Sequence, residues 1–175
     1  MSSQTKTKRL VLGALFAALA CVATLVIRVP SPFGYANLGD CIVLLGAFLL
    51  GPVVGALAGG IGAALADLIG GYVVYAPATF IIKAIVALVA GLVARKFAKR
   101  GSLPGIVVGG VLGELCMIAG YFGFNALILG NGWAAAGALA SDGVQAVLGV
   151  VLGTVLFFAL SRIPQVRETF SLDTK

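Results

Sequence analysis

Residues 75–96 read YAPATFIIKAIVALVAGLVARK. Pro77 sits near the start, an apolar run fills Ala78–Ala94 with Lys83 as its single charge, and Arg95-Lys96 closes it. A bilayer core about 30 Å thick needs a helix of about 20 apolar residues, with a range of about 17–25. The run therefore predicts a transmembrane helix that ends in a basic anchor. Similar runs recur outward from it in both directions: Leu10–Ile27, Leu38–Leu50, Val53–Ile69, Gly105–Leu129 and Gly143–Leu160. The expected fold is an all-α membrane protein with six transmembrane helices, formed as one domain over residues 1–175. The second run is short for a full crossing, so a tilted span and one arm of a re-entrant hairpin both stay open. Loops are expected at Arg28–Asn37, Gly70–Pro77, Arg95–Pro104 and Gly130–Asp142, where Gly, Pro and polar residues interrupt helical pattern.

Composition agrees. Hydrophobic residues make up 61% of the 175 and charged residues 10%, against about 45–50% and about 25% in soluble domains. Mean hydropathy is +1.13. So apolar a chain excludes intrinsic disorder, and too little polar surface exists for a water-soluble globule. The chain has no His, which removes the commonest general base and metal ligand. Cys21, Cys41 and Cys116 stand apart with no CxxC spacing, and they read as small buried hydrophobes. No Lys follows a Gly, so a GxxxxGK[ST] phosphate loop is absent. Neither an enzyme nor an ATPase of that type is expected, and no cofactor or metal.

The charges give an orientation. Three basic residues precede the first run, four lie in Arg95–Arg100, and three follow the last run. Ten of the twelve Lys and Arg thus fall on one face of a six-span chain. Basic loops mark the cytoplasmic side, so both termini are expected there. The first run, preceded by Lys6, Lys8 and Arg9, reads as a retained span rather than a cleaved signal. The net charge of +6 then reflects orientation and contact with lipid headgroups rather than nucleic-acid binding.

Small residues four apart let helices approach closely in lipid. Gly51/Gly55/Gly59/Ala63 and Gly62/Ala66/Gly70 mark two such ridges on the third run. Gly105/Gly109/Gly113 mark one on the fifth, Gly149/Gly153 one on the sixth, and Gly13/Ala17 and Ala14/Ala18 two on the first. A small-residue face on a terminal helix is suited to a partner's helix.

Ionisable residues inside a membrane need a reason, since each costs about 2.5–3.5 kcal/mol at mid-bilayer. Asp40 and Asp67 fall within about one turn of the outer face, Lys83 about 8 Å below it, and Glu114 deeper still. An Asp–Lys83 pair that locks the bundle and a polar cavity open to the outside are both compatible with this placement. Tyr35, Asn37, Tyr72, Tyr75, Tyr121, Asn125, Asn131, Trp133, Asp142 and Gln145 gather on the same outer side. An interfacial aromatic belt would appear on both faces. This one-sided set points to a pocket with aromatic walls and a few orienting polar groups, suited to a small, flat, ring-containing solute.

These features resemble the substrate-binding S component of an energy-coupling factor (ECF) vitamin transporter. The resemblance runs through RLVLGALFAALA, VPSPFGYANLGDCIVLLGAFLLGP, GALAGGIGAALADLIGGY and YAPATFIIKAIVALVAGLVARK. It is carried by the order NLGD, LLGP, ADLIGGY, APATFIIK, and is greatest toward the hydroxymethylpyrimidine or pyridoxine subgroup. The resemblance implies a subunit of the bacterial plasma membrane that captures a vitamin on the outer side. It implies docking onto a transmembrane coupling subunit through Ala14 and Ala18 on the first span, with two separate ATPase subunits supplying energy. Location assigns Lys83, Glu114, Tyr121, Asn125 and Gln145 to the pocket, with Tyr35, Asn37, Tyr75 and Trp133 from loops. Other vitamins (pantothenate, riboflavin, thiamine), a membrane scaffold without a solute, and a free-standing facilitator are the competing expectations.

Overall fold

The computed structural model describes residues 3–96 and 102–170. Seven α-helices and one β-hairpin make up the described chain. They are α1 (Ser3–Val26), β1 (Arg28–Ser31), β2 (Gly34–Asn37), α2 (Gly39–Leu49), α3 (Pro52–Gly70), α4 (Ala76–Lys96), α5 (Leu103–Gly123), α6 (Leu139–Ser161) and α7 (Pro164–Phe170). A π-helical turn at Phe124–Ile128 extends α5, and a 3-10 turn at Gly132–Ala138 leads into α6.

Five of the helical segments are long and apolar enough to cross a membrane, and Gly39–Leu49 is a shorter apolar helix. At 1.5 Å per residue α2 spans about 16 Å, roughly half the hydrocarbon core. Its start is set by the Asn37 side chain, whose Oδ1 accepts from the Gly39 N–H at 2.8 Å. Its end is set by Gly51, at φ +90°, followed by Pro52 in the first turn of α3. A positive φ suits Gly, and Pro tolerates only that first turn. α2 begins beneath the hairpin, and Gly51 beyond its end lies against the guanidinium of Arg95 at the basic end of α4. The hairpin and α2 together therefore carry the chain from one end of the bundle to the other.

α2 is the buried centre. Val43, Leu44, Leu45, Ala47, Phe48 and Leu49 are all inside the core, and α1, α3, α4 and α6 pack around them. Most of the small-residue ridges have a partner within the bundle. On α3, Gly55 faces the Ala47 backbone and Gly59 faces Val43, both on α2, while Gly62 faces the Ala17 carbonyl of α1. Gly109 and Gly113 on α5 face the Ala90 and Val86 carbonyls of α4, and Gly149 and Gly153 on α6 face Asp40 and Cys41 of α2. On α1 the two ridges separate: Ala17 is buried, whereas Ala14 and Ala18 are exposed.

Two expectations, the loops at Arg28–Asn37 and Gly130–Asp142, are revised. Arg28–Asn37 is a paired hairpin rather than an irregular loop, with Arg28 opposite Asn37 and Ser31 opposite Gly34. Gly130–Asp142 is mostly helical because the Ala-rich run from Trp133 favours a tight helical turn. The tail contains a short helix, α7, begun by Pro164. Asp40, at the head of α2, is fully buried. Of the basic cluster, Arg95 and Lys96 close α4, while Lys99 and Arg100 lie outside the described residues, as does Lys175.

Candidate solute-binding site

At the hairpin end of the bundle the helices splay around a small cavity of about 40 Å³. Its floor is an ion pair: Lys83 Nζ on α4 donates to Asp40 Oδ1 on α2 at 2.6 Å, with both side chains almost fully buried. Gln145 on α6 donates from Nε2 to the other carboxylate oxygen, Asp40 Oδ2, at 2.6 Å. Its Oε1 accepts from the Asn37 backbone N–H at 2.7 Å and from Asn37 Nδ2 at 3.2 Å. A continuous polar chain, Lys83–Asp40–Gln145–Asn37, thus runs from mid-bundle to the base of the hairpin. Burial of two charges is tolerable because they pair with each other and Asp40 accepts a second hydrogen bond.

The walls are phenols. All four tyrosines of the chain line the cavity. Tyr35, on β2, donates to Asp67 Oδ1 of α3 at 2.6 Å and packs on Tyr72 with ring centroids 4.7 Å apart. The Arg28 guanidinium covers the Tyr35 ring at 4.9 Å. Tyr75 donates to Asn125 Oδ1 at 2.7 Å and meets the Phe124 ring edge-on at 5.4 Å. Tyr121 donates to Thr79 Oγ1 at 3.0 Å, and Lys83 Nζ lies 5.3 Å from its ring centroid, within reach of a cation–π attraction. Burial, then the hydrogen bond to Asp67, pushes the Tyr35 hydroxyl well above its ordinary pKa, and burial raises that of Tyr75. Both stay protonated donors at physiological pH. Asp142 adds a carboxylate from α6, and Thr24 a hydroxyl from α1.

The hairpin roofs the cavity. Phe33, Gly34, Tyr35 and Asn37 line it from above, and Pro32 and Phe33 approach Gly137 in the 3-10 turn. About 40 Å³ holds only a few waters, at about 10–15 Å³ of such volume each. A ring-sized solute needs more room than this, so side chains of the walls or the roof must give way to admit it.

Of the nine residues expected to bind solute, Tyr35, Asn37, Tyr75, Lys83, Tyr121 and Gln145 line this cavity. Asn125 stands behind the wall, where it holds Tyr75 and donates to the Tyr121 carbonyl at 2.9 Å. Trp133 is 86% exposed and packs on Phe122. Glu114 is buried on the far side of Asp40, near Gly149, and does not line the cavity. Thr24, Phe33 and Thr79 line it without having been expected. Nothing in the spacing of two threonines on apolar helices distinguishes a pocket hydroxyl from one bonded to its own helix.

A buried polar cavity roofed by a hairpin at one end of an apolar bundle defines a membrane-embedded solute-binding protein. The sequence profile of the family described as "ECF-type riboflavin transporter, S component" matches residues 4–162. The chain belongs to that family of ECF transporter S components. It is accordingly a multi-pass membrane protein and a transporter subunit rather than an enzyme, and proteins of its kind work with an ECF module. An uncharacterized protein in the gap 3′ region of Pyrococcus woesei is 38% identical over 143 residues, covering 81% of this chain and 93% of that one. The fold matches a solved structure described as "Structure and mechanism of the S component of a bacterial ECF transporter". The TM-score is 0.74, with 22% identity over 90% of this chain and 97% of the other.

Proposed function

We propose that the chain captures a single-ring vitamin or precursor of the hydroxymethylpyrimidine or pyridoxine type in the cavity beneath the hairpin. One observation carries this reading: four phenol rings, two carboxylates, an ammonium and two carboxamides line one small cavity. Tyrosine faces stack on a heteroaromatic ring. Asp67 and Asp142 accept from its amino or hydroxyl groups, and Lys83 and Gln145 donate to its ring nitrogens and oxygens. Each matched pair gives discrimination, because an analogue lacking the group leaves a buried polar partner unsatisfied.

The cavity faces the outside in this reading. The hairpin and α2 make the sixth crossing, and both termini lie in the cytoplasm of a cell whose plasma membrane holds the protein. Support comes from the basic residues, which gather at the opposite end from the cavity. The exposed Ala14 and Ala18 on α1 form the face that meets a transmembrane coupling subunit, and two ATPase subunits complete the importer.

Calorimetry on the purified chain tests the solute. Sub-micromolar binding of hydroxymethylpyrimidine or pyridoxine, with weaker binding of thiamine and pantothenate, supports the proposal. Riboflavin is the second reading, favoured by the description of the matching family. Tight riboflavin binding with no response to the single-ring compounds would replace the first reading. Silence across the whole panel would return the chain to a scaffold role.

A further inference from the structure

The charged groups around the cavity do not balance. Among the described residues, Asp40 on α2, Asp67 on α3 and Asp142 on α6 stand at this end of the bundle against Lys83 on α4 and Arg28 on β1. Glu114, a further acid, is buried behind Asp40 against Gly149, outside the lining. Lys83 is committed to Asp40 at 2.6 Å. Arg28 stands by Asp67: its guanidinium covers the Tyr35 ring, whose hydroxyl donates to Asp67, and it lies against Gly70, one turn further along α3. Asp142 is left over. It is half-buried and has neither a hydrogen bond nor an ion pair among the described residues.

Asp142 precedes Gln145 by three residues on α6, so the two share a face, and both line the cavity. Gln145 is already engaged, bonded to Asp40 through its amide nitrogen and to Asn37 through its oxygen. The Asp142 carboxylate is therefore the strongest acceptor of the lining that no group of the chain occupies. We propose that Asp142 sets the class of solute: the cavity takes a single ring that carries a cationic N–H edge, an ammonium or a protonated amidine, and this edge pairs with the Asp142 carboxylate. The proposal rests on the reading of the cavity as the solute site. A carboxylate offers acceptors only, and two parallel N–H donors engage both its oxygens. A 4-aminopyrimidine supplies that edge, an amino N–H beside a ring nitrogen that takes up a proton. Pyridoxamine supplies an ammonium. Pyridoxine has no exocyclic amine. A flavin presents its N–H between two carbonyls, whose oxygens a carboxylate repels. Lys83 does not oppose such a solute, because Asp40 cancels its charge. Its ammonium keeps two N–H groups for a neutral acceptor on the other side of the ring.

The test is calorimetry near neutral pH on the purified full-length chain with two matched pairs of compounds. One pair is 4-amino-5-hydroxymethyl-2-methylpyrimidine and its 4-oxo analogue; the other is pyridoxamine and pyridoxine. Ring size is constant within each pair, and only the amine is gained or lost. The amine of each pair is expected to bind at least about tenfold tighter. Asp142→Asn, equal in size, should cost each amine at least about tenfold and bring it level with its neutral counterpart, with the melting temperature as folding control. Equal affinities within both pairs overturn the proposal and leave the single-ring reading standing, and this comparison needs no variant. A preference for the amines that survives Asp142→Asn also overturns it. Silence of all four compounds removes the single-ring reading and the proposal together.

Discussion

The Tyr35 hydroxyl and the Asp67 carboxylate meet at 2.6 Å, and this bond helps tie the hairpin to the end of α3, beside the Tyr35–Tyr72 ring contact and the approach of Arg28 to Gly70. Its loss should loosen the roof without unfolding the bundle. For Tyr35→Phe, amide hydrogen exchange across residues 29–36 is expected to speed up about tenfold, since a hydrogen bond to a charged group contributes about 1.5–3 kcal/mol and partial exposure of Tyr35 reduces that. The Tyr35 pKa is raised in the folded state, so its contribution is fully present below the ordinary tyrosine value and fades only in alkali.

Lys83→Met leaves Asp40 buried without its counter-charge. Breaking a buried pair from one side costs about 3–5 kcal/mol, so a large fall in melting temperature is expected, together with lost solute binding. Replacing both partners, Asp40→Leu with Lys83→Met, should recover much of the stability and none of the binding. Thermal denaturation and calorimetry on the two variants separate the two roles.

Glycine substitutions should sort by what stands opposite. At Gly113 a Cβ would lie 2.8 Å from the Val86 carbonyl oxygen, whereas nothing lies within 4 Å at Gly123. Gly113→Leu is expected to abolish recovery of folded protein on size-exclusion chromatography. Gly123→Ala should leave the elution profile unchanged.

Ala14→Trp with Ala18→Trp enlarges an exposed face of α1. Solute affinity should stay within twofold of the unsubstituted protein, while ATP-driven uptake in proteoliposomes with an ECF module is lost. Equal loss of affinity would place those alanines inside the bundle's own packing.

Much of the architecture was legible because hydrocarbon imposes simple rules. Span lengths, the Gly and Ala ridges and the basic end all follow from apolar run length and residue size. The exception was the segment from Arg28 to Leu50. Its hairpin rests on pairing between RVPS and GYAN, four residues each, too short for an alternating pattern to register. The one-sided gathering of tyrosines was legible, because one-sided aromatics are anomalous in a belt, and all four line one cavity. Glu114 and Asn125 stand outside that lining for a common reason: depth along a helix is readable from spacing, but the direction in which a residue faces depends on which neighbour the ridge selects. Asp40 and Lys83 were candidate partners by charge alone, and only the geometry chose Asp40 over Asp67.

The hairpin's two ends are held unequally. At its base, Asn37 pairs with Arg28 and is clasped twice by Gln145; toward the tip, Tyr35 has one side-chain tether. The four-position register keeps the two strands together as a unit. Toward the tip an arriving guest has one hydrogen bond, the Tyr35–Tyr72 ring contact and the approach of Pro32 and Phe33 to Gly137 to displace. The root stays wired to the charged pair beneath, so that what happens at the doorway is felt at the heart of the bundle.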